Sequence, residues 1–429
     1  MSEKYSDIRL SQCMIVKNEE KNIEQALGWA KGYAFEQIVV DTGSTDKTVE
    51  LAEKLGATVY HFEWINDFSA AKNFAMDKAT GAWIAIMDAD EYVPHEDMPA
   101  LMSLLEKINN MDNHDNDYDA ISFPRWNLDD EGNVNSIIRT SRIFRNRPDL
   151  RYKGRIHEQV VMNGDMRFDA DNVRLMHTGY LESEIQETGK AKRNISILRA
   201  ELAEDPHNLN TKAYLADSLW MAADSESLRE AHDLFLDVIN GTNVAPVMKK
   251  TAYAFTLTKY LNDPQMQSEG EALCQRAREE FPDDIDIKFF QGVALCNKEE
   301  YENAINLLAE CVDKVGTVAE YGNLSYVSAD PGMLYNQILR AAYGAGDIDK
   351  VIEYATIALS TDKTRHGILS SYIAVLLKTG KSNEEILELL SIIYDLKSIN
   401  DLILVARAAK DIGAIDLARL IVSIGEQAT

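Results

Sequence analysis

The chain has 429 residues, 45% hydrophobic and 27% charged, with a formal net charge of −26. That length exceeds one ordinary core, so two or three domains are expected. The acid excess excludes nucleic acid or anionic membrane as bulk electrostatic partners, and no run of about 18 apolar residues offers a membrane span.

The first half alternates strand and helix signals. Leu10 to Val16 is an apolar run that predicts a strand, and Asn22 to Ala30 predicts a helix. Gln37 to Asp41 predicts a second buried strand. Asp46 opens a helix through Leu55, its charge at the positive end of the helix dipole, and Gly56 closes that helix in the left-handed conformation. Ala57 to Phe62 is a third strand, Ala70 to Lys78 a third helix and Trp83 to Met87 a fourth strand. Such alternation predicts a mainly parallel, Rossmann-like sheet covered on both faces. A short helix (Met98 to Ile108) and a polar surface loop (Asn109 to Asp119) follow. Ala120 to Pro124, Ile137 to Phe144 and Gln159 to Met162 read as further strands, with aromatic and basic residues to frame an acceptor.

From about Glu182 strand signals vanish and paired helices take over. Ala231, Phe235 and Val238 suit the second helix of a unit. Pro282, Gly292, Tyr301 and Ala304 form one pattern, and Gly346-Asp347-Ile348 with Ala355 and Ala358 another. Small residues let paired helices approach closely. These spacings resemble tetratricopeptide (TPR) repeats of about 34 residues, with insertions near Ala222 to Leu228 and near Thr317 to Pro331. The expected organisation is an α/β domain over 1–185 and an all-α, TPR-like repeat domain over 186–429, stacked as a solenoid with a concave surface. The stripes of Leu215, Leu219, Phe235, Leu257, Phe289, Leu295 and Leu308 are read as repeat cores.

Cys13, Cys274, Cys296 and Cys311 stand singly in apolar patterns, as reduced core thiols would. The opening MSEKYSDIRL has no apolar signal core, so a cytoplasmic location is expected.

Two acidic clusters carry the chemistry. One is Asp41-Thr42-Gly43-Ser44-Thr45-Asp46 after the second strand, the other Asp88-Ala89-Asp90 after the fourth. Open α/β sheets bind ligands at the carboxyl ends of their strands. Two carboxylates spaced Asp-x-Asp suit a hard divalent cation that bridges to phosphate. The same residues also make a strand-end turn and helix start with no ligand. Gly43 to Asp46 is read that way, and Asp41 as functional.

CMIVKNEEKNIEQAL, IVVDTGSTDKTVELAEKLGA and FSAAKNFAMDKATGAWIAIMDADE occur in an order and spacing similar to family 2 glycosyltransferases of the GT-A fold. RTSRIFRNRPDLRYKGRIHEQV and LMHTGY resemble the sublancin S-glycosyltransferase group, in which such a domain also precedes helical repeats. The resemblance implies a UDP-sugar donor and Mn²⁺ or Mg²⁺. It implies Asp90 as a direct metal ligand, Asp88 on the ribose or a metal-bound water, and His177 completing the metal shell. It places Asp41 on the nucleobase or ribose, with Lys17, Asn18 and Glu19 in the nucleotide-side loop. Lys72 and Asn73 match a basic-Asn pair near the diphosphate, where the family often has Arg; a solvated helix face is the alternative for Lys72. Arg142, Arg145 and Arg155 pair with phosphate or with the acid excess, and Trp126 stacks on a sugar or packs in the core. An inverting transfer needs a base, Glu158 or alternatively His157. A peptide or protein Cys, Ser or Thr is the favoured acceptor, because repeats present extended surfaces. A glycan or lipopolysaccharide-core acceptor, or an idle repeat-based adaptor, remains the alternative. A homodimer paired through an exposed repeat end is a further expectation of this resemblance.

Overall fold

The computed structural model describes residues 8–110, 118–129, 131–162, 167–178, 190–315 and 326–428. Gly179 and Tyr180, the middle of the 109–119 loop and most of the 317–331 insertion lie outside the described residues.

Leu10–Val16 (β1), Glu36–Asp41 (β2), Thr58–His61 (β3) and Trp83–Ile86 (β4) form a parallel set in the spatial order β3-β2-β1-β4. Their apolar runs have no polar side because both faces are covered. Alternation sends Cys13, Ile38, Val40, Ile84 and Ile86 to one face, against Ala75 and Met76 of α3 (Phe68–Lys78). Met14, Val16 and Val39 go to the other, against Ile23, Ala26 and Leu27 of α1 (Ile23–Gly28) and Ala52 of α2 (Thr48–Lys54). Gly56 ends α2 at φ +94°, as expected. The chain order reverses between β1 and β4, and such a reversal opens a crevice at the carboxyl ends of the two strands.

Beyond β4 the sheet is mixed. Val134–Arg145 (β7) lies antiparallel between β4 and Ala120–Leu128 (β6), and both strands run longer than the sequence suggests. Leu175–His177 (β11) runs parallel to β6, Glu91–Tyr92 (β5) closes that edge antiparallel to β11, and Arg167–Asp169 (β10) also pairs with β6. The expected strand at Gln159 to Met162 shortens to Gln159–Val160 (β9). Among the described residues it pairs with Tyr152–Lys153 (β8), in a separate two-stranded ladder. Met98–Asn109 (α4) buries Met98, Leu101, Met102 and Leu105 against Trp83, Phe123 and Leu175.

All further described regular structure is helical, beginning with Lys190–Glu204 (α5), Leu209–Ala222 (α6) and Ser225–Asn240 (α7). The insertion expected near Ala222 to Leu228 is instead a two-residue link. Ala223 adopts φ +58°, and the Asp224 carboxylate caps α7 by accepting from the Glu226 and Ser227 amides. That left-handed turn packs α6 on α7 with no extra chain. By contacts the described residues divide into two units, one running up to Lys249 and the other from Lys250 onward. The first three helices thus belong with the sheet.

The second unit is a stack of helix pairs. Gly292 in Ile285–Asn297 (α10) sits where a Cβ would fall inside the Leu308 side chain of Tyr301–Val312 (α11). Ala304, Ala355 and Ala358 are fully buried in the same core as Tyr372, Leu376 and Leu390. Of the small residues picked out by repeat spacing, Gly292 marks a close helix approach, and the alanines are buried between the paired helices. All four cysteines are buried and unpaired. Among the described residues no helix is long and apolar enough to cross a membrane.

Candidate active site

Asp41 ends β2 and is 5% exposed. Its carboxylate accepts from the Gly43 and Ser44 amides at 3.2 and 3.0 Å, and His61 Nδ1 lies 3.4 Å away. Burial opposes ionisation, but hydrogen bonds from Ser44, Gly43 and His61 outweigh it and hold the group below the usual Asp range. The same turn is tied to the loop after β1. The Asn18 amide donates to Ser44 Oγ, and the Thr45 amide donates to Asn18 Oδ1. Lys17 is exposed beside this loop. Glu19 turns back to accept from Asn22 Nδ2 at 2.9 Å, at the start of α1. Asp46 accepts from the Thr48 amide and hydroxyl, the structural helix start anticipated for it.

Directly after β4, Asp88, Asp90 and Glu91 occupy three different environments. Asp88 Oδ1 meets Lys72 Nζ at 2.9 Å, and its Oδ2 lies 3.5 Å from Arg142. Burial again opposes its charge, but Lys72 and Arg142 drive the pKa well below the usual range. Asp90 Oδ2 faces His177 Nε2 at 3.6 Å, while its Oδ1 is buried with no hydrogen-bond partner among the described residues. Glu91 is 1% exposed. It accepts from Arg142 Nε at 2.7 Å and Nη2 at 3.0 Å, from Arg125 Nη1 at 3.3 Å and from the Asp88 amide at 3.2 Å.

Lys72 is the hinge of the site. It projects from the second turn of α3, and its Nζ also reaches Glu158 Oε1 at 2.7 Å. The residue is 3% exposed, so the solvated-face alternative is overturned. Desolvation alone would discharge the amine, but Asp88 and Glu158 raise its pKa far above the usual Lys value. Glu158 is brought there by the β8–β9 loop. Gly154 takes φ +93° and His157 φ +53°. The first turn of α3 grips the loop, the Phe68 amide donating to the Arg155 carbonyl and Ser69 Oγ to that of Gly154. Asn73 clasps Tyr152 through both backbone groups, a structural role for this half of the Lys-Asn pair.

The family-level match follows this geometry. Residues 11–172 match the family described as Glycosyl transferase family 2. This chain carries a family 2 glycosyltransferase domain. Its sheet is the parallel-dominated, GT-A-like one expected, and TPR-like helices follow it. A TPR repeat-containing protein of Synechococcus elongatus is 34% identical over 220 residues, 49% of this chain and 51% of that one. The chain thus spans about half the length of that relative. The glycosyltransferase SunS of Bacillus subtilis is 25% identical over 317 residues, 73% of this chain and 72% of that one. Among solved structures, Staphylococcus aureus TarS 1–349 in complex with UDP-GlcNAc aligns at 15% identity and a TM-score of 0.39, covering 68% of this chain and 92% of that one.

The glycosyltransferase domain gathers Lys72, Asp88, Arg142 and Glu158 into one charged network, and sets Asp90 with His177 beside it. Arg145 and Arg155 lie elsewhere. Arg145 covers the Trp83 ring and donates to the Tyr118 carbonyl, whereas Arg155 pairs with Glu204 of α5. Trp126 lies beneath Arg174. Three site residues escaped sequence reasoning. Glu91 was visible only as the acid closing DADE. Asn127 accepts from His177 Nδ1 at 2.7 Å while donating to Ser136. Tyr214 of α6 stacks on His157, rings 4.1 Å apart and 9° from parallel; nothing local in its sequence marks that contact. Burial beneath such neighbours lowers the His157 pKa, only partly offset by Glu158.

The donor set accommodates a divalent cation. Asn127 accepts from Nδ1, which leaves Nε2 as the His177 ring atom that faces Asp90 Oδ2. Beside it lies a carboxylate oxygen buried with no donor among the described residues. A cation held between Nε2 and the carboxylate would satisfy that oxygen, and imidazole with carboxylate suits Mn²⁺ better than Mg²⁺. Among the described residues no three His, Cys, Asp or Glu side chains form a ready-made cluster. A cation there would take two protein donors, Asp90 and His177, with its further positions filled by ligand oxygens.

Proposed function

We propose that the chain moves a sugar from a UDP-sugar to a polypeptide side chain, with inversion at the anomeric carbon. The observation that carries this reading is the unpartnered Asp90 Oδ1 with Asp90 Oδ2 facing His177, beside the crevice where the sheet order reverses. Asp90 and His177 would hold Mn²⁺, which when bound would neutralise the diphosphate. Asp41, ionised by its turn, would accept from uracil or ribose, with Lys17 at the rim of the same loop. Lys72 and Arg142 fix Asp88 so that it faces the ribose or a bound water.

On the acceptor side, Lys72 holds Glu158 through Oε1, leaving Oε2 to take a proton. The acceptor hydroxyl or thiol attacks the anomeric carbon and passes its proton to Glu158. The bond from that carbon to the diphosphate breaks, and UDP leaves with the bonding electrons. His157 is pinned against Tyr214, which favours Glu158 as the base. The helical repeats support a polypeptide acceptor, since such arrays present long surfaces.

The test is UDP release from UDP-sugars by the purified protein with Mn²⁺, and a hexose or N-acetylhexosamine mass increment on a peptide array. Glu158→Gln should lower the transfer rate by about 10²–10⁴-fold, the scale of a positioned base. A loss below tenfold would move the role to His157. Transfer to glycans and to no peptide would replace the polypeptide acceptor.

A further inference from the structure

The β8–β9 loop is held from two sides. On the α3 side, Lys72 takes the Glu158 carboxylate, and the first turn of α3 binds the Gly154 and Arg155 carbonyls. On the helical side, Arg155 Nη2 donates to both carboxylate oxygens of Glu204 on α5, at 2.7 and 2.8 Å. Tyr214 of α6 covers His157, the residue directly before Glu158. Loop, sheet and both helices fall in one contact unit.

His157 is the strained point of that loop. Its φ of +53° lies in the left-handed region, which a residue with a Cβ enters at a cost. Such a conformation persists only where the surroundings over-determine it. The imidazole makes no hydrogen bond among the described residues. What restrains its ring is the Tyr214 ring, 4.1 Å away and 9° from parallel. If the backbone at 157 relaxed to a common conformation, the chain would leave it in another direction, and Glu158 would swing off Lys72. We infer that Tyr214 is a positioning residue for the base: its ring, stacked on His157, fixes the left-handed turn that aims Glu158 into the site. This rests on the reading of Glu158 as the base. The Tyr214 hydroxyl makes no hydrogen bond among the described residues, so the ring does this work without the phenol. A helix beyond the sheet thereby sets the rate of the chemistry without touching substrate.

The experiment measures peptide transfer by the full-length protein carrying Tyr214→Ala or Tyr214→Phe, each alone and combined with Glu158→Gln. A misplacement of about 1 Å can cost about 10²-fold, so Tyr214→Ala should lower kcat about 10–100-fold with the peptide KM little changed. Tyr214→Phe keeps the ring and should restore that loss. In the Glu158→Gln chain, Tyr214→Ala should cost less than about twofold, because two groups acting as a unit are not additive. A second readout is the His157 ring, followed by NMR titration. Burial holds its pKa below the usual His value, so Tyr214→Ala should raise it and Tyr214→Phe should not. An equal loss in both backgrounds, no rescue by Phe, or an unmoved His157 titration would overturn the proposal. A Glu158→Gln chain that transfers at nearly the full rate would remove the base, and this proposal with it. The His157 titration needs neither donor nor acceptor, so it tells the two failures apart.

Discussion

Adjacent carboxylates in Asp88-Ala89-Asp90-Glu91 do opposite work because their surroundings differ. Glu91 is the buried counter-ion of Arg125 and Arg142. Removing one partner of such a group strands the others in a low-dielectric interior. Glu91→Ala should therefore destabilise the protein by about 3–5 kcal/mol, the range for breaking a buried pair, and lower its thermal midpoint clearly. Asp90 is the reverse case. Its carbonyl, not its side chain, holds the Thr178 amide, at 3.0 Å, and its Oδ1 satisfies no donor among the described residues. A stability loss confined to Asp90, with Glu91→Ala melting like the unaltered chain, would reverse these assignments. Spacing picked out the pair of aspartates because a strand end with two acids is a recognisable pattern. It missed Glu91 because an acid becomes an anchor only when distant strands bring Arg125 and Arg142 to it.

Among the elements, the four parallel strands and their covering helices were legible because each is an unbroken apolar run bounded by turn residues. The mixed half was legible in part: Ala120 to Pro124 and Ile137 to Phe144 marked β6 and β7. β5, β10 and β11 are only two or three residues long, and their places depend on pairings far apart in sequence. The β8–β9 loop is legible only as GRIHE; its grip on α3 is a tertiary fact. In the helical part the small residues were the reliable signal. Gly292→Ala places a methyl group where Leu308 now sits. The gain in helix propensity, at most about 1 kcal/mol, is outweighed by overpacking of about 1–3 kcal/mol. A lower denaturant midpoint with unchanged slope is expected; an unchanged midpoint would mean the helices part easily.

At the scale of the whole molecule, the composition change near residue 185 and the contact boundary at Lys249 do not coincide. Helices α5 to α7 fall in the same unit as the sheet, and two of them touch the β8–β9 loop, Tyr214 of α6 on His157 and Glu204 of α5 on Arg155. A chain ending at 249 should keep UDP-sugar hydrolysis and a cooperative melt, whereas one ending at 190 should lose both. Equal hydrolysis by the two fragments would show that the first helices are dispensable to the catalytic loop. With a net charge of −26, the molecule repels a free nucleoside diphosphate at long range. Binding must come from local groups and, on the proposed reading, from a cation.

That requirement is the most exposed part of the account. Calorimetric titration of UDP into the full chain, with Mn²⁺ and with chelator, tests it directly. The account predicts Mn²⁺-dependent binding that Asp90→Ala abolishes while the melting temperature stays the same. Equal UDP affinity in chelator, or in Asp90→Ala with Mn²⁺, would contradict it.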